Sequence, residues 1–465
     1  MLTLPAACGG AGAGPIDVTV IGAEPLLNPP ATLHVAGYGA MAATRSGLVG
    51  FDAEGHLVPA LAERWVVTDD AQDYIFRLPD GVWSDGTPIA AADVAAALRR
   101  ALAAARTTPL RAELASIRDI RVMARRVIEI ELDAPQPDLL TLLAQPELGI
   151  AAGAHGQHHE GPMAIRRDGD HWLANLAPSV RGSHTLALRF QSAQDAVGRF
   201  AQGHADLVLG GTFASLPLAT RIAMTRGNLQ FDPVAGLFGL DVVTAQGFLA
   251  DPANREALAM AIDRDALTGA FGVSAAAATT RIVSAGLDGD NGMIGERWTG
   301  QTIDQRRQAA AARIKALKIP PVLTLSLPTG PGTDILFKRL HDDLDAVGIA
   351  LVRVAPDAAA DLTLVDSVAR YPRARWFLER LSCTVHAQAC SAPGDAGVVA
   401  AIHASDPAEA ARLYAQAEVE ITAANGFIPL ARPLRWSLVH GAVSGFSLNP
   451  WGWHPLSPLA AAAAN

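Results

Sequence analysis

The residues whose types and spacing could do chemistry are few and scattered. The loop HGQHHEG sets His155, His158 and His159 beside Glu160, a donor set that suits a soft divalent ion. The same residues also make an ordinary polar glycine and histidine loop. With no partner in view to orient the imidazoles, that plainer reading is favoured. Asp263, Arg264 and Asp265 stand together in DPANREALAMAIDRDAL, where local ion pairs on a solvated helix face are the expectation. Cys383 and Cys390 lie seven apart in LSCTVHAQACSAPGD. That spacing does not suit a CxxC redox or zinc pair; it suggests a local disulfide in an oxidising compartment, with two reduced thiols as the alternative. No GxSxG, HExxH or P-loop occurs, and no GxGxxG opens a helix after a strand. Hydrolase, zinc-protease and nucleotide chemistry are therefore not expected, and no cofactor is implied.

The elements that would position these groups read as a large mixed α/β chain. At 465 residues it exceeds one compact core and should divide into two or three domains. Half of the residues are apolar and 18% are charged, a globular composition. The net charge of -9 and the lack of a Lys/Arg-rich run make nucleic acid no expected partner. No run of eighteen apolar residues suggests a transmembrane helix. Ile16 to Ile21 alternates as a first strand, and Gly37 to Leu48 reads as a small-residue helix. Arg118 to Leu132 alternates as two strands around Ala124, and Leu139 to Leu143 is a short helix between prolines. Later, Val322 to Leu327, Asp334 to Leu344 and Ile349 to Val354 form a strand, helix and strand unit with a right-handed crossover. Pro407 to Ala424 is a further helix, followed by strands at Phe427 to Leu430 and Leu434 to Val439.

The stretch from Leu48 to Leu102 organises the rest. An acidic turn at Asp52 to Gly55 leads to Pro59, Leu61 and Trp65. Tyr74, Phe76 and Leu78 then alternate with Asp73, Ile75 and Arg77, the period-two pattern of a half-buried strand. Ser84, Asp85 and Gly86 supply a turn, and Asp93 stands where a helix N-terminus favours an acid, ahead of Val94, Leu98 and Leu102. In order and identity, Gly55, Leu57, Pro59, Leu61, Ala62, Glu63, Trp65, Tyr74, Phe76, Gly81, Val82, Asp85, Gly86, Pro88, Ala92, Asp93 and Val94 closely resemble the signature region of the family 5 extracellular solute-binding proteins of ABC importers, the dipeptide, oligopeptide and nickel binders. Asp195, Val197, Phe200, Gly203, Ala205, Asp206 and Leu207 resemble that family's helix, glycine and strand. Arg255, Ala257, Ala261, Ile262, Asp263 and Arg264 resemble another of its helical segments.

The resemblance implies an α/β two-lobe periplasmic binding protein fold, type II and of the large peptide-binding cluster, with a hinge and an interlobe cleft. Residues 1–14 read as a truncated lipoprotein signal and tether, 15–238 as lobe I with the signature subdomain, 239–428 as lobe II, and 429–465 as a return segment packing on lobe I. Hinge crossings are expected near Val234 to Val243 and Asn425 to Pro433. Cys8, in MLTLPAACGG, is the expected acylated residue, an incidental thiol in a flexible terminus being the alternative. The implied function is the substrate-binding component of an ABC importer, capturing a small peptide-like or anionic solute without catalysis. A periplasmic location, a permease partner in the inner membrane, a lipid anchor as the sole membrane contact and a monomeric state go with it. A metal or metallophore carrier using the His155 to His159 loop, or a sensor or chaperone on the same fold, are the alternatives.

The segment DLTLVDSVARYPRARWFL, Asp361 to Leu378, resembles the family segment that carries a tryptophan and, three positions later, an aspartate that pairs with a peptide's terminal ammonium. Matching Asp361, Tyr371, Pro372, Phe377 and Leu378 puts Ser367 at the tryptophan and Arg370 at the aspartate. The sign of the charge is then reversed, which favours a carboxylate or another anion; Asp366 could substitute if the register shifts. The ligand-binding residues expected are Tyr38, Asp366, Ser367, Arg370, Tyr371 and Trp376, with Trp451 and Trp453 divided between packing and ligand contact.

Overall fold

In Ile16–Ile21 (IDVTVI) the side chains of Val18 and Val20 are buried and so is Thr19 between them, as expected of a strand covered on both faces. It lies at the centre of a seven-stranded sheet in the computed structural model. That model describes residues 14–24, 35–83, 86–105, 109–152, 158–159, 161–176, 183–223, 227–356, 358–441 and 443–461. The central strand runs parallel to Leu186–Gln191 on one side and to Leu207–Thr212 on the other. Arg435–Val439 and Leu229–Phe231 extend one edge, and the hairpin Met163–Asp168 with His171–Leu176 extends the other, all by antiparallel pairing.

A second, five-stranded sheet has the order Ala350–Val354, Val322–Ser326, Leu362–Val368, Gly236–Val242, Phe427–Ala431. Val322–Ser326 and Ala350–Val354 are parallel and joined by the helix Pro331–Asp345, the crossover unit expected from the sequence. The two sheets are the cores of two lobes. The chain leaves the first sheet after Phe231 and enters the second at Gly236; it leaves the second at Ala431 and re-enters the first at Arg435. The crossings are thus 232–235 and 432–434, narrower than the expected hinge segments. Gly236–Val242 and Phe427–Ala431 are ladder-paired strands of the second sheet, so the return to lobe I starts after Ala431.

The signature stretch forms a subdomain of its own. Arg64–Val67, Asp73–Arg77, Val127–Leu132 and Ile117–Ala124 make an antiparallel sheet. Tyr74, Phe76, Ile128, Ile130 and Leu132 bury one face beneath the helix Ala91–Ala105, which contributes Val94, Ala95 and Leu98. On the other face Asp73 and Glu131 pair directly, a like-charge juxtaposition that ion pairs from Arg118 and Arg121 to Glu131 relieve. Gly55, in the acidic turn, has φ +85°, and a Cβ there would lie 2.6 Å from Trp451 Nε1. Glycine is required, and the indole of Trp451 donates to Gly55 O at 2.9 Å, tying the C-terminal return to the signature turn.

Two expectations need correction. The first helix is Val35–Thr44 rather than Gly37 to Leu48, because the chain must turn out at Arg45 to Gly47 to deliver Val49–Phe51 as a strand. Asp263 caps the next helix through Ala266 N, but Arg264 is not on a solvated face. It is buried, and its guanidinium donates to the carbonyls of Pro429, Ala259 and Ile262; burial lowers its pKa to about 9. Arg255 likewise serves the carbonyls of Leu249, Ala250 and Ala424. Cys383 and Cys390 are joined as a disulfide, with Cα atoms 5.0 Å apart. Cys8, Ser84, Asp85, His155 and Glu160 lie outside the described residues, and His158 and His159 enter only through the backbone pairing of their short strand with Ala151–Ala152.

Gly211 faces Trp436 across the Leu207–Thr212 and Arg435–Val439 pair, and a Cβ there would fall 2.1 Å from the indole ring. Trp436 is fully buried and donates to Thr212 O at 2.8 Å, so the ring has nowhere to retreat. Gly211→Val should lower stability by about 3 kcal/mol, read as a shifted urea-unfolding midpoint with an unchanged slope.

Candidate functional site

Leu362–Val368 is an interior strand of the second sheet, paired antiparallel to Gly236–Val242 with Asp366 opposite Phe238 and Ser367 opposite Leu237. Its C-terminal end runs out of the ladder towards the first lobe, and the next residues, Ala369 to Arg373, lead into the short helix Ala374–Glu379. Asp366, Ser367, Arg370, Trp376 and Arg380 are thereby presented on the lobe II side of a cavity of about 230 Å³. Lobe I contributes Tyr38, Arg435, Trp451 and Trp453, and the signature subdomain contributes Glu113 and Gln145. Three parts of the chain therefore meet at one cleft.

Five of the six expected ligand residues line this cavity. Tyr371 does not: it is fully buried in the hydrophobic cluster that its segment shares with the signature subdomain, and its hydroxyl donates to Glu379 at 3.2 Å. Asp366 lines the cavity but is already paired, accepting from Arg435 Nη1 at 2.8 and 3.0 Å. Because Arg435 opens the strand just past the second crossing, this pair bridges the lobes beside the hinge. Trp451 is an anchor, tilted over Phe51 at 4.8 Å and bonded to Gly55. Trp453 sits edge-on to Tyr38 and Phe51, and its buried Nε1 has no partner.

Arg370 is the centre of the network. Its Nη2 donates to Glu147 Oε1 at 2.7 Å, and Tyr38 donates its hydroxyl to the same oxygen at 2.9 Å. Glu113 Oε2 lies 4.0 Å from Arg370 Nε, and Glu113 Oε1 accepts from Trp376 Nε1 at 3.1 Å. Burial works against the charge of Arg370, but Glu147, Tyr38 and Glu113 outweigh it, so its pKa stays above the ordinary guanidinium value. Burial acts oppositely on Glu113, pushing its carboxyl up to about 7 despite Arg370 and Arg380 nearby. The Tyr38 hydroxyl is pushed up to about 12 by burial and then by Glu147. Arg380 makes no ion pair or side-chain hydrogen bond among the described residues. Burial and the Arg370 charge lower its pKa, against the pull of Glu113 and Asp241.

Glu113, Glu147, Arg380 and Arg435 were not legible as site residues. Their contacts span 69 to 263 residues of sequence, and no local pattern marks them. Further latching follows the same arginine-rich segment. Arg373 Nε donates to Asp138 at 2.8 Å, and Arg375 reaches Gln136 Oε1 at 3.1 Å and Pro135 O at 3.2 Å. Beside the first crossing, buried His454 faces Asp232 Oδ2 at 3.3 Å and Ser437 Oγ at 3.5 Å through the same nitrogen, Nε2. A nucleophile relay needs the two contacts on different nitrogens, so this trio fits a packing role. Among the described residues one trio, Asp52, Glu54 and His56, could hold a metal ion. It is at the surface, and the His56 ring already meets Asp52.

Residues 56–176 match the family model described as Bacterial extracellular solute-binding proteins, family 5 Middle. The chain also has the fold of solved peptide-binding structures. It superposes on Haemophilus influenzae OppA in complex with RPPGFSPFR with a TM-score of 0.84 at 17% identity, over 96% of this chain and 98% of that one. Over residues 56–176 the chain is similar to the family 5 solute-binding proteins, and over nearly its whole length it shares the fold of these solved structures. The Escherichia coli murein tripeptide binding protein MppA matches with a TM-score of 0.83 at 16% identity, covering 96% and 98% of the two chains. MppA in its unliganded open form gives 0.69 over 96% and 97%. In sequence, 199 residues are 32% identical to the E. coli K12 "Probable deoxycholate-binding periplasmic protein YgiS", 35% of this chain and 37% of that protein. A segment of 54 residues is 43% identical to the Sinorhizobium fredii "Probable peptide ABC transporter periplasmic-binding protein y4tO", 11% and 10% of the two chains. The aligned parts thus span little more than a third of the length of these relatives at most.

Glu113 makes the closed packing pH-dependent. Its pKa is raised in the folded chain, so the folded state keeps a proton that the unfolded state has lost. The corresponding stability is complete below the ordinary value of 4.5 and is lost as pH rises to about 7. Relative to Glu113→Gln, the wild type should therefore lose roughly 3 kcal/mol between pH 4.5 and 7.5. Parallel thermal melts of the two proteins measure it, and curves that stay a constant distance apart would show that Glu113 does not titrate in this window.

Proposed function

We propose that this protein captures a small solute between its two lobes and presents the closed form to an ABC permease, transforming nothing. The observation that carries this reading is the cavity where Tyr38, Glu113, Arg370 and Arg435 converge from three parts of a chain whose lobes are joined by two short crossings. Such lobes rotate about their crossings, and a solute that touches both faces favours the closed arrangement. The names of the relatives point the same way, towards periplasmic binding of peptides or of deoxycholate. A periplasmic location, a lipid tether at Cys8 and a monomeric state belong to this reading.

Arg370 shapes what the cleft accepts. Its guanidinium occupies the acidic pair Glu113 and Glu147, the position in which a solute's ammonium would be stabilised. Arg370 acts as an internal cation, and a free peptide amino terminus is disfavoured at this end. Two charges removed from water repay their desolvation only through each other and their hydrogen bonds. Removing Arg370 alone therefore leaves Glu113 and Glu147, both on the signature subdomain, without the cation that the second lobe supplies.

Arg370→Ala should open the solute-free protein, raising its radius of gyration in small-angle X-ray scattering, and should create affinity for ammonium-bearing solutes such as short cationic peptides. Unchanged scattering together with unchanged solute preference would remove Arg370 from this role. Mass spectrometry of the solute that co-purifies with the wild type tests the capture reading itself; a protein that carries no solute and is closed by none would count against it.

A further inference from the structure

The cavity around Arg370 has a neighbour with which it shares part of its wall. This second cavity, of about 460 Å³, lies between the first lobe and the signature subdomain, and Gln145 and Trp453 stand in the walls of both. Its lining is mainly apolar, with Val49, Phe51, Leu61, Ile89 and Ala42; Arg45, Ser46, Gln145 and Ser457 are its polar members. Its size is that of a small-molecule pocket. The first chamber is lined largely by charged and aromatic side chains and the second largely by apolar ones.

The charges of the first chamber set the sign of the group it suits. Asp366 is committed to Arg435, and Glu147 to Arg370. Of Glu113, one oxygen accepts from Trp376 and the other faces Arg370. Arg380 remains, lining the cavity with no ion pair or side-chain hydrogen bond among the described residues. Two buried donors contributed to the same cavity by the first lobe, Arg435 Nε and Trp453 Nε1, are also without hydrogen-bond partners, a costly state unless a solute meets them. Glu113 Oε2 and Glu147 Oε2 also lack a hydrogen-bond partner, but Arg370, ion-paired to Glu147 and 4.0 Å from Glu113, already supplies their cation. The uncommitted guanidinium of Arg380 and the orphaned N–H groups have no such counter-charge, and they suit a single anionic acceptor.

Resting on the capture reading above, we propose that the solute is an apolar monocarboxylic acid, its carboxylate on Arg380 and its apolar body passing Gln145 and Trp453 into the second chamber. A flexible acyl chain and a rigid ring body share this chemistry.

Calorimetric titration of the full chain with hexanoate, octanoate, decanoate, cholate, decanol and trialanine tests it. Affinity should rise about fourfold per methylene from hexanoate to decanoate, and decanol should bind at least tenfold more weakly than decanoate. Tight binding of cholate in place of the linear acids would assign the body to a rigid ring and equally support the proposal. Arg380→Gln should weaken binding of the preferred acid at least tenfold. Ala42→Phe, which fills the second chamber from the helix Val35–Thr44, should flatten the chain-length dependence or, for a ring acid, abolish binding. If Ala42→Phe misfolds, Val58→Trp on the opposite wall gives the same readout. Trialanine binding where neither acid binds would overturn the proposal and leave capture between the lobes standing. An acid that binds with the same affinity to Arg380→Gln and to the chamber-filling variant would also overturn it. If no added or co-purified solute closes the protein, the capture reading fails with it.

Discussion

The structure depends on a set of buried charges that settle one another across the interlobe boundary. Arg370 comes from the edge of the second sheet, Glu113 and Glu147 from the signature subdomain, and Tyr38 from the first lobe. None of these groups could be removed from water alone, since an isolated buried ion is penalised by several kcal/mol. Brought together, they tolerate burial, but only in the closed arrangement. Glu147 has direct donors in Arg370 and Tyr38, whereas Glu113 sits at the longer distance with an indole as its one direct donor. Burial therefore wins at Glu113 and favours its proton.

On the capture reading, a latch of this kind would shift the balance between open and closed forms before any solute arrives. Arg373 with Asp138, and Arg375 with Gln136, repeat the arrangement along the same segment, so the closed form is supported at several points. A solute can favour closure only by the difference between its interactions with the two forms. In a cleft that has already neutralised most of its own charge, that difference arises from what remains unsatisfied: Arg380, the orphaned N–H groups and apolar surface. Selectivity then follows from vacancies in an otherwise complete network, and water exclusion on closure makes each of them count for more.

Much of this fold can be read from the chain because its signals are local. The alternation of Tyr74 and Phe76 against Asp73 and Arg77 needs only the pleat of a strand. The unit from Val322 to Val354 needs only the change from period two to a helical stripe. Asp251, Asp263 and Asp406 cap helices through backbone N–H groups two or three residues on, which is short-range chemistry. The site is a different matter. Arg370, Trp376 and Tyr38 were reachable through a family pattern, but their partners Glu147 and Glu113 lie in unremarkable surroundings, QPELGI and LRAELAS. Arg264 misleads for the same reason: its sequence neighbours are charged, but the fold places it against the carbonyls of Pro429, Ala259 and Ile262. What a side chain does here is decided by residues that tertiary structure brings to it.

The hinge shows how these two scales join. The crossings are four and three residues long, at 232–235 and 432–434, and each is pinned immediately beside its ends. Asp232 N donates to Arg435 O, and Asn449 N donates to Asp232 Oδ1, fixing the first crossing to the return segment. That segment is held in turn by Trp451 on Gly55, so lobe I and the signature subdomain are coupled into one body. Arg435, at the root of the second crossing, grips Asp366, while Arg370, Arg373 and Arg375 reach the subdomain from the segment that follows the middle strand of the second sheet. On the capture reading, the first pair would hold the lobes in register and the second set would favour the form in which its partners meet.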